Sequence, residues 1–233
     1  MPAFTLIRIF CILPFKVPFY LYRCFSIFIL GDNMAFYNEE DGEEKKNKKN
    51  EGQDQLTQKF LNTRQILLTG EINKELSEKI IRQLLLMESI SATKPIYIYI
   101  DTPGGDADAG FALFDMIRFV KPPVYTIGMG LVASAGSIIL LAAKKERRLG
   151  LPNSHYLIHQ PLSGIKGVAT EIEIHARELE KMRVKINKLI AEETGADEKK
   201  VAKDTDRDCW LDAEEAIKYG LISKIAAVRK DLI

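Results

Sequence analysis

Cysteine and histidine are scarce in this chain, with three of each among 233 residues, and neither falls into a pattern that a metal or a disulfide framework needs. Cys11, Cys24 and Cys209 are odd in number and lack CxxC spacing. That argues against a zinc site or a disulfide scaffold and fits a reducing, cytoplasmic setting. His155 and His159 stand four apart in a segment with strand character, about 13 Å from one another, too far to share an ion. No metal is expected. A surplus of one charge is missing too: 33 basic against 32 acidic residues leave a net charge of +1, which gives no case for nucleic acid or an anionic membrane as partner.

Residues 1–33 lack any uncharged apolar run near the ~18 residues that a membrane-spanning helix requires. Arg8, Lys16 and Arg23 divide the segment, and Pro14 and Pro18 interrupt any helix in it, so no stable membrane span is expected. No A-x-A cleavage pattern follows. The aromatic, basic and acid-free composition up to Gly31 leaves a transit peptide, with an organellar location, or an interfacial anchor open. The simplest expectation is that translation starts at Met34 and that residues 1–33 lie upstream of the true start.

What is present begins with a change of composition. Asn38 to Gln55, NEEDGEEKKNKKNEGQDQ, has no apolar residue to bury and reads as a disordered tether within a charged linker and N-terminal segment spanning residues 34–63. Folding proper is expected from Leu56. With 46% hydrophobic residues the rest suits one domain of ordinary size, placed at residues 64–226, with a tail over 227–233. QILLTG (65–70) reads as a buried strand and Ile72 to Met87 as an amphipathic helix. IYIYI (96–100) predicts a strand, Pro103-Gly104-Gly105 a sharp turn, and Ala109 to Phe119 a helix ended before Pro122-Pro123. VYTIGMG (124–130) predicts a strand that leads into a buried helix within the apolar run ending at Ala143. HYLIHQP supplies another strand, Thr170 to Thr194 a long helix with Gly195 as its C′ residue, and Glu198 to Lys203 a short one. Asp212 and Glu215 have capping-box spacing, Gly220 closes that helix, and Leu221 to Ile225 predicts a last strand. Strand and helix in alternation imply parallel strands with right-handed crossovers and sites at their carboxyl ends.

Both glycine turns, at Gly104-Gly105 and between Gly128 and Gly136, fall at such ends and can face one cleft. Ser134 is expected in the first turn of its helix, where free N–H groups favour a developing anion. It reads either as a nucleophile or as a small residue that lets helices pack. Two glycines after a strand let backbone N–H groups point into a pocket as an oxyanion hole, one donor of which is worth roughly 3 to 4 kcal/mol; the alternative is an ordinary type II turn. Asp101 and Asp106 read as turn and cap residues. His159 sits at a strand end where an imidazole can reach a cleft, while His175 reads as structural. Of Asp204, Asp206 and Asp208, an alternating acidic row, one carboxylate can orient that imidazole, or the row is a solvated turn. The segment from Leu162 to Val168 is glycine-rich and is expected to be mobile, and the long helix on that arm is expected to pack between subunits.

IYIYIDTPGG, GMGLVASAGS, LPNSHYLIHQPLSG, ATEIEIHARE and DTDRDCWLDAEEAIKYGLI, taken together and in this order, resemble the Clp protease proteolytic subunits. The resemblance covers about residues 64–226. It implies an α/β fold of the crotonase-like, Clp-protease type: repeated β-β-α units, parallel sheets and a protruding helical handle. Carried over by position, it implies Ser134 as nucleophile, His159 as general base, Asp208 as orienting carboxylate, and the N–H groups of Gly105 and Ala135 as the oxyanion hole. The order serine, histidine, aspartate differs from that of the α/β hydrolases. Tyr97 and Tyr99 match positions at the hydrophobic cleft where an unfoldase docks. Implied partners are an AAA+ Clp unfoldase, identical or paralogous subunits in heptameric rings stacked as a tetradecamer, and unfolded protein substrates. The chain itself needs no cofactor, ATP being used by the unfoldase. A neutral imidazole is required, so activity is expected to fade below about pH 6.5, the reference value for histidine.

The chain departs from the family pattern in three places. Ala135 replaces the usual methionine after the nucleophile, IDTPGG replaces INSPGG, and the axial-loop sequence and its tyrosine-bearing helix are not recognisable between Met34 and Arg64. Two other readings are an acyl-CoA enzyme of the crotonase fold and a weak or inactive structural paralogue in a mixed ring.

Overall fold

The computed structural model describes residues 27–30, 33–36 and 59–232. Within the first of two compact units, β1 (Ile27–Leu30) and β2 (Asn33–Phe36) form an antiparallel pair with Ile29 opposite Met34. The charged stretch expected as a tether, 38–55, lies outside the described residues.

The second unit is built on one seven-stranded sheet. Its spine runs β3 (Gln65–Thr69), β4 (Ile96–Thr102), β5 (Val124–Ala133), β6 (Arg148–Gly150) and β9 (Lys224–Ile225), all parallel. The ten-residue β5 serves two neighbours in turn. Its first half pairs with β6 and its end, Leu131 to Ala133, with β7 (His155–Ile158), which carries antiparallel β8 (Cys209–Leu211). β4 alternates buried isoleucines at 96, 98 and 100 with half-exposed tyrosines at 97 and 99, the period-two pattern of a strand with one face on the core.

Helices cover that face. α1 (Lys74–Ile90) is capped by Asn73, whose side chain accepts from the Leu76 N–H, and buries Ile80, Leu84 and Met87. α2 (Ala107–Phe119) starts two residues earlier than the sequence suggested, because Asp106 acts as its N-cap and accepts from Ala109. α3 (Ala135–Leu140) is wholly buried but only six residues long, so most of the long apolar run around it is strand and turn rather than helix. α4 (Ala169–Thr194) runs 26 residues to a left-handed Gly195, a rod of about 39 Å at 1.5 Å per residue. Nothing in it before Ile186 is buried. Its first turns are therefore the protruding handle. α5 (Glu198–Asp204), α6 (Ala213–Tyr219), with its Asp212–Glu215 capping box, and Gly220 in the left-handed region close the fold as expected. The last strand is shorter than Leu221 to Ile225: Leu221 and Ile222 fold into the core instead, and only Lys224 and Ile225 pair with β6. No helix among the described residues is long and apolar enough to cross a membrane.

Candidate active site

Ser134 stands between β5 and α3, as the N-cap rather than in the first helical turn, with φ 56° and ψ −121°. That left-handed φ is strained for any residue with a Cβ, and strain of this kind persists only where the surroundings over-determine it. Here they do. The Ser134 N–H donates to the Leu157 carbonyl at 2.9 Å, and the Ser137 hydroxyl lies 3.1 Å from the Val132 carbonyl and 3.0 Å from that of Leu157. Gly136 lets α3 press on Thr102, where a Cβ would lie 2.4 Å from Cγ2.

The other end of α3 is held by charge. Arg148, 1% exposed, donates Nε to the Ala143 carbonyl at 2.7 Å and Nη1 to the Glu193 carbonyl at 2.8 Å, and pairs with the Glu193 carboxylate. Arg118 pairs with the same carboxylate and donates Nε to the Ala142 carbonyl at 3.2 Å. Two guanidinium groups thus satisfy carbonyls of the turn that follows α3, and a glutamate from the end of the handle neutralises them. Burial pushes the Arg148 pKa down, with Glu193 opposing.

The Pro103-Gly104-Gly105 turn at the end of β4 is as constrained as the serine it faces. Gly104 and Gly105 have φ 96° and 147°. A Cβ on Gly104 would meet the Ser134 Cβ at 2.6 Å, and one on Gly105 would meet the Ile72 carbonyl at 2.2 Å. Ile72 clamps the turn from both sides, donating to the Gly104 carbonyl and accepting from the Asp106 N–H, each at 2.8 Å. The Thr102 hydroxyl bridges the Gly70 carbonyl and the Gly104 N–H. Among the described residues the Gly105 N–H has no acceptor, and Ala135, first residue of α3, has none within its helix. Asp101 accepts from the Leu131 N–H at 3.0 Å and fills the space beside Gly130, where β5 passes from β6 to β7.

Ser134, Gly104, Gly105, Ala135 and His159 line one cleft of about 580 Å³, whose apolar wall includes Ile138, Ile158, Ile186 and Ile190. His159 follows β7 directly, and its Nδ1 lies 4.0 Å from Oδ1 of Asp208, with the imidazole 12% and the carboxylate 64% exposed. Of the acidic row, only Asp208 comes to the histidine. Asp204 accepts from Lys200 and Tyr219, and the Asp206 carbonyl accepts from Gln160. His155 is exposed and His175 bonds Ser163 at 2.8 Å, so neither joins the cleft. Among the described residues no cluster of metal-ligating side chains forms.

Tyr97 and Tyr99 lie on the opposite face of β4. Tyr97 stacks on Tyr125 with ring centroids 5.1 Å apart, and both tyrosines pack against a small core of Ile127, Leu149, Ala226 and Leu232. Burial, then its tyrosine neighbours, pushes the Tyr97 pKa up, with Arg229 opposing.

Against known families, residues 48–229 match the model of the Clp protease. The chain belongs to the Clp protease family. It is 83% identical over 199 residues to the ATP-dependent Clp protease proteolytic subunit 2 of Treponema denticola, a match that covers 85% of this chain and 98% of that protein. The subunit 2 of Treponema pallidum is 65% identical over 190 residues, 82% of this chain and 96% of its own length. Among solved structures, a point mutant of ClpP1 from Listeria monocytogenes superposes with a TM-score of 0.72 at 50% identity, covering 76% of this chain and 99% of that one. The α/β fold is therefore that of a Clp proteolytic subunit, and the chain is a serine peptidase of this family. Neither an acyl-CoA enzyme nor a purely structural paralogue is favoured by such relatives.

The Arg148–Glu193–Arg118 node, the Ile72 clamp and the Gln160 side-chain bond to the Asp206 carbonyl are not foreseen from the sequence. None carries a local signal: Arg148 ends the charged run KKERR, and Ile72, the first apolar position of the helix the sequence predicts, lies before α1, which starts at Lys74.

Proposed function

We propose that this Clp-type subunit hydrolyses peptide bonds by acyl transfer, with Ser134 as nucleophile, His159 as general base, Asp208 as the carboxylate that orients the base, and the Gly105 and Ala135 N–H groups as the oxyanion hole. The observation that carries the reading is the strained Ser134, lining one cleft with His159 while Nδ1 of that imidazole faces Asp208. With Nδ1 turned to the carboxylate, Nε2 is the basic nitrogen. It takes the Ser134 proton as Oγ attacks the scissile carbonyl, and the oxyanion forms against the two backbone donors. The proton passes to the leaving amine, and water, deprotonated by the same imidazole, releases the acyl group. A His–Asp separation of 4.0 Å is longer than a hydrogen bond, as catalytic contacts often are before substrate binds.

The substrates are unfolded polypeptides cut to short peptides within a chamber of two stacked heptameric rings, fed by an AAA+ unfoldase that uses the ATP. The stacked Tyr97–Tyr125 face supports Tyr97 and Tyr99 as part of the docking surface for that partner. The exposed apolar residues of the handle, Ile172 and Ile174 among them, support ring stacking. A reducing cytoplasm suits the unpaired Cys209. Labelling by a fluorophosphonate, lost in Ser134→Ala, tests the chemistry. Native mass spectrometry tests the rings, and ATP-dependent degradation with a Clp unfoldase, alone and with a paralogous subunit, tests the partners.

A further inference from the structure

His159 and Asp208 are not joined by a hydrogen bond of their own, yet Nδ1 and Oδ1 face each other across 4.0 Å. β7 and β8 pair antiparallel, Tyr156 with Leu211, Leu157 with Trp210 and Ile158 with Cys209. One more step of that register sets His159 across from Asp208. The step after it would bring Gln160 to Arg207, but the ladder ends at Ile158 and Cys209. The Gln160 N–H instead donates to the Thr205 carbonyl at 2.6 Å, so residues 206–208 bow out as a bulge between two fixed points. Within that bulge the Gln160 side chain makes a second tie, Nε2 donating to the Asp206 carbonyl at 2.6 Å. The acceptor is a carbonyl, so the amide must present its nitrogen there. At the base of the bulge Thr205 is anchored in the core, its hydroxyl 2.7 Å from Oδ1 of buried Asn187 and 2.9 Å from the Val201 carbonyl. Asp208 itself makes no hydrogen bond among the described residues.

We propose that Gln160 is a positioning residue whose side-chain amide clasps the 205–208 bulge to the histidine segment and so sets the approach of the Asp208 carboxylate to His159. This rests on the reading of His159 and Asp208 as base and orienting carboxylate. The backbone bond to Thr205 keeps the two segments adjacent; the amide fixes the shape of the bulge between them.

Gln160→Met keeps the length of the side chain and removes the amide donors. In the full-length assembled protein, hydrolysis of a fluorogenic peptide by this variant falls about ten- to a hundredfold in kcat, as a small misplacement of a reacting group does. KM stays within twofold and the melting temperature is unchanged. Gln160→Glu, which turns an acceptor toward the Asp206 carbonyl, loses at least as much and serves as the second variant. Asp208→Asn is measured alone and combined with Gln160→Met. Because Gln160 acts through Asp208, the double variant is no slower than Asp208→Asn. Two losses that multiply, a loss confined to KM, or full activity in both Gln160 variants beside an impaired Asp208→Asn would overturn the clasp and leave the triad reading intact. No loss in Asp208→Asn would overturn the triad reading, and the clasp with it.

Discussion

Ser134 comes to the cleft from a segment in which nearly every neighbour is buried, with α3 behind it, the glycine turn against its Cβ and two arginines at the far end of its helix. Asp208 comes to the same cleft beside a three-residue edge strand, 64% exposed and 4.0 Å from the imidazole it faces. The nucleophile's position is thus a property of the core and cannot change without disturbing packing. The position of the acid is a property of one surface bulge and a few hydrogen bonds. Substitutions on the serine side that add volume or remove a buried charge should act on stability and chemistry together, and those on the aspartate side on chemistry alone.

The sharpest case removes the nucleophile's oxygen and nothing else. Ser134→Ala should lose peptide hydrolysis by a factor on the order of 10⁶, measured by turnover and active-site labelling, with the oligomer and melting temperature kept. Next, Gly105→Ala should break the serine side outright, since its Cβ would lie 2.2 Å from the Ile72 carbonyl at φ 147°. Strain of about 1–3 kcal/mol and a displaced oxyanion donor act together, so both the melting temperature and kcat should drop. Glu193→Gln leaves Arg148 buried without its counter-charge and should cost about 3–5 kcal/mol in denaturant unfolding. Asp208→Asn should lose kcat by roughly 10²-fold with no change in stability, short of the ~10⁴-fold that a buried, hydrogen-bonded acid is worth.

The smallest effect is a pH dependence of β7, the strand that leads to His159. Burial pushes the Tyr156 phenol up to about 12, against a reference of 10.0, while its hydrogen bond to Ser154 opposes this. The folded state holds the proton more tightly than the unfolded one. That stability is complete below pH 10 and is lost as pH rises toward 12, about 2–3 kcal/mol in all. Tyr156→Phe should flatten this part of the alkaline unfolding curve.

Much of the serine side was legible because its conformation demands particular residues. Gly104 and Gly105 follow a strand and take φ values closed to other residues, Asp106 and Asp212 cap helices, and Gly195 and Gly220 end them. Element ends were less legible. An apolar run such as VASAGSIILLAA is buried equally well as strand, turn or helix, so its composition alone could not place the strand end at Ala133 or limit α3 to six residues. Arg148 and Gln160 were illegible for a different reason: each is defined by a partner 45 or 46 positions away, and nothing local distinguishes a buried guanidinium from a solvated one. Choosing Asp208 within the acidic row rested on the resemblance, and the β7–β8 register supplies its physical reason.

Trp210 is the only tryptophan of the chain and lies two residues beyond Asp208, opposite Leu157 in the β7–β8 ladder and 56% exposed. An indole half in water and half on a sheet has an emission that shifts with small changes of solvation. The protein therefore has a built-in fluorophore on its looser side, read without any label. Iodide quenching and emission wavelength should follow the 205–208 bulge directly, changing in Gln160→Met and staying constant in Ser134→Ala.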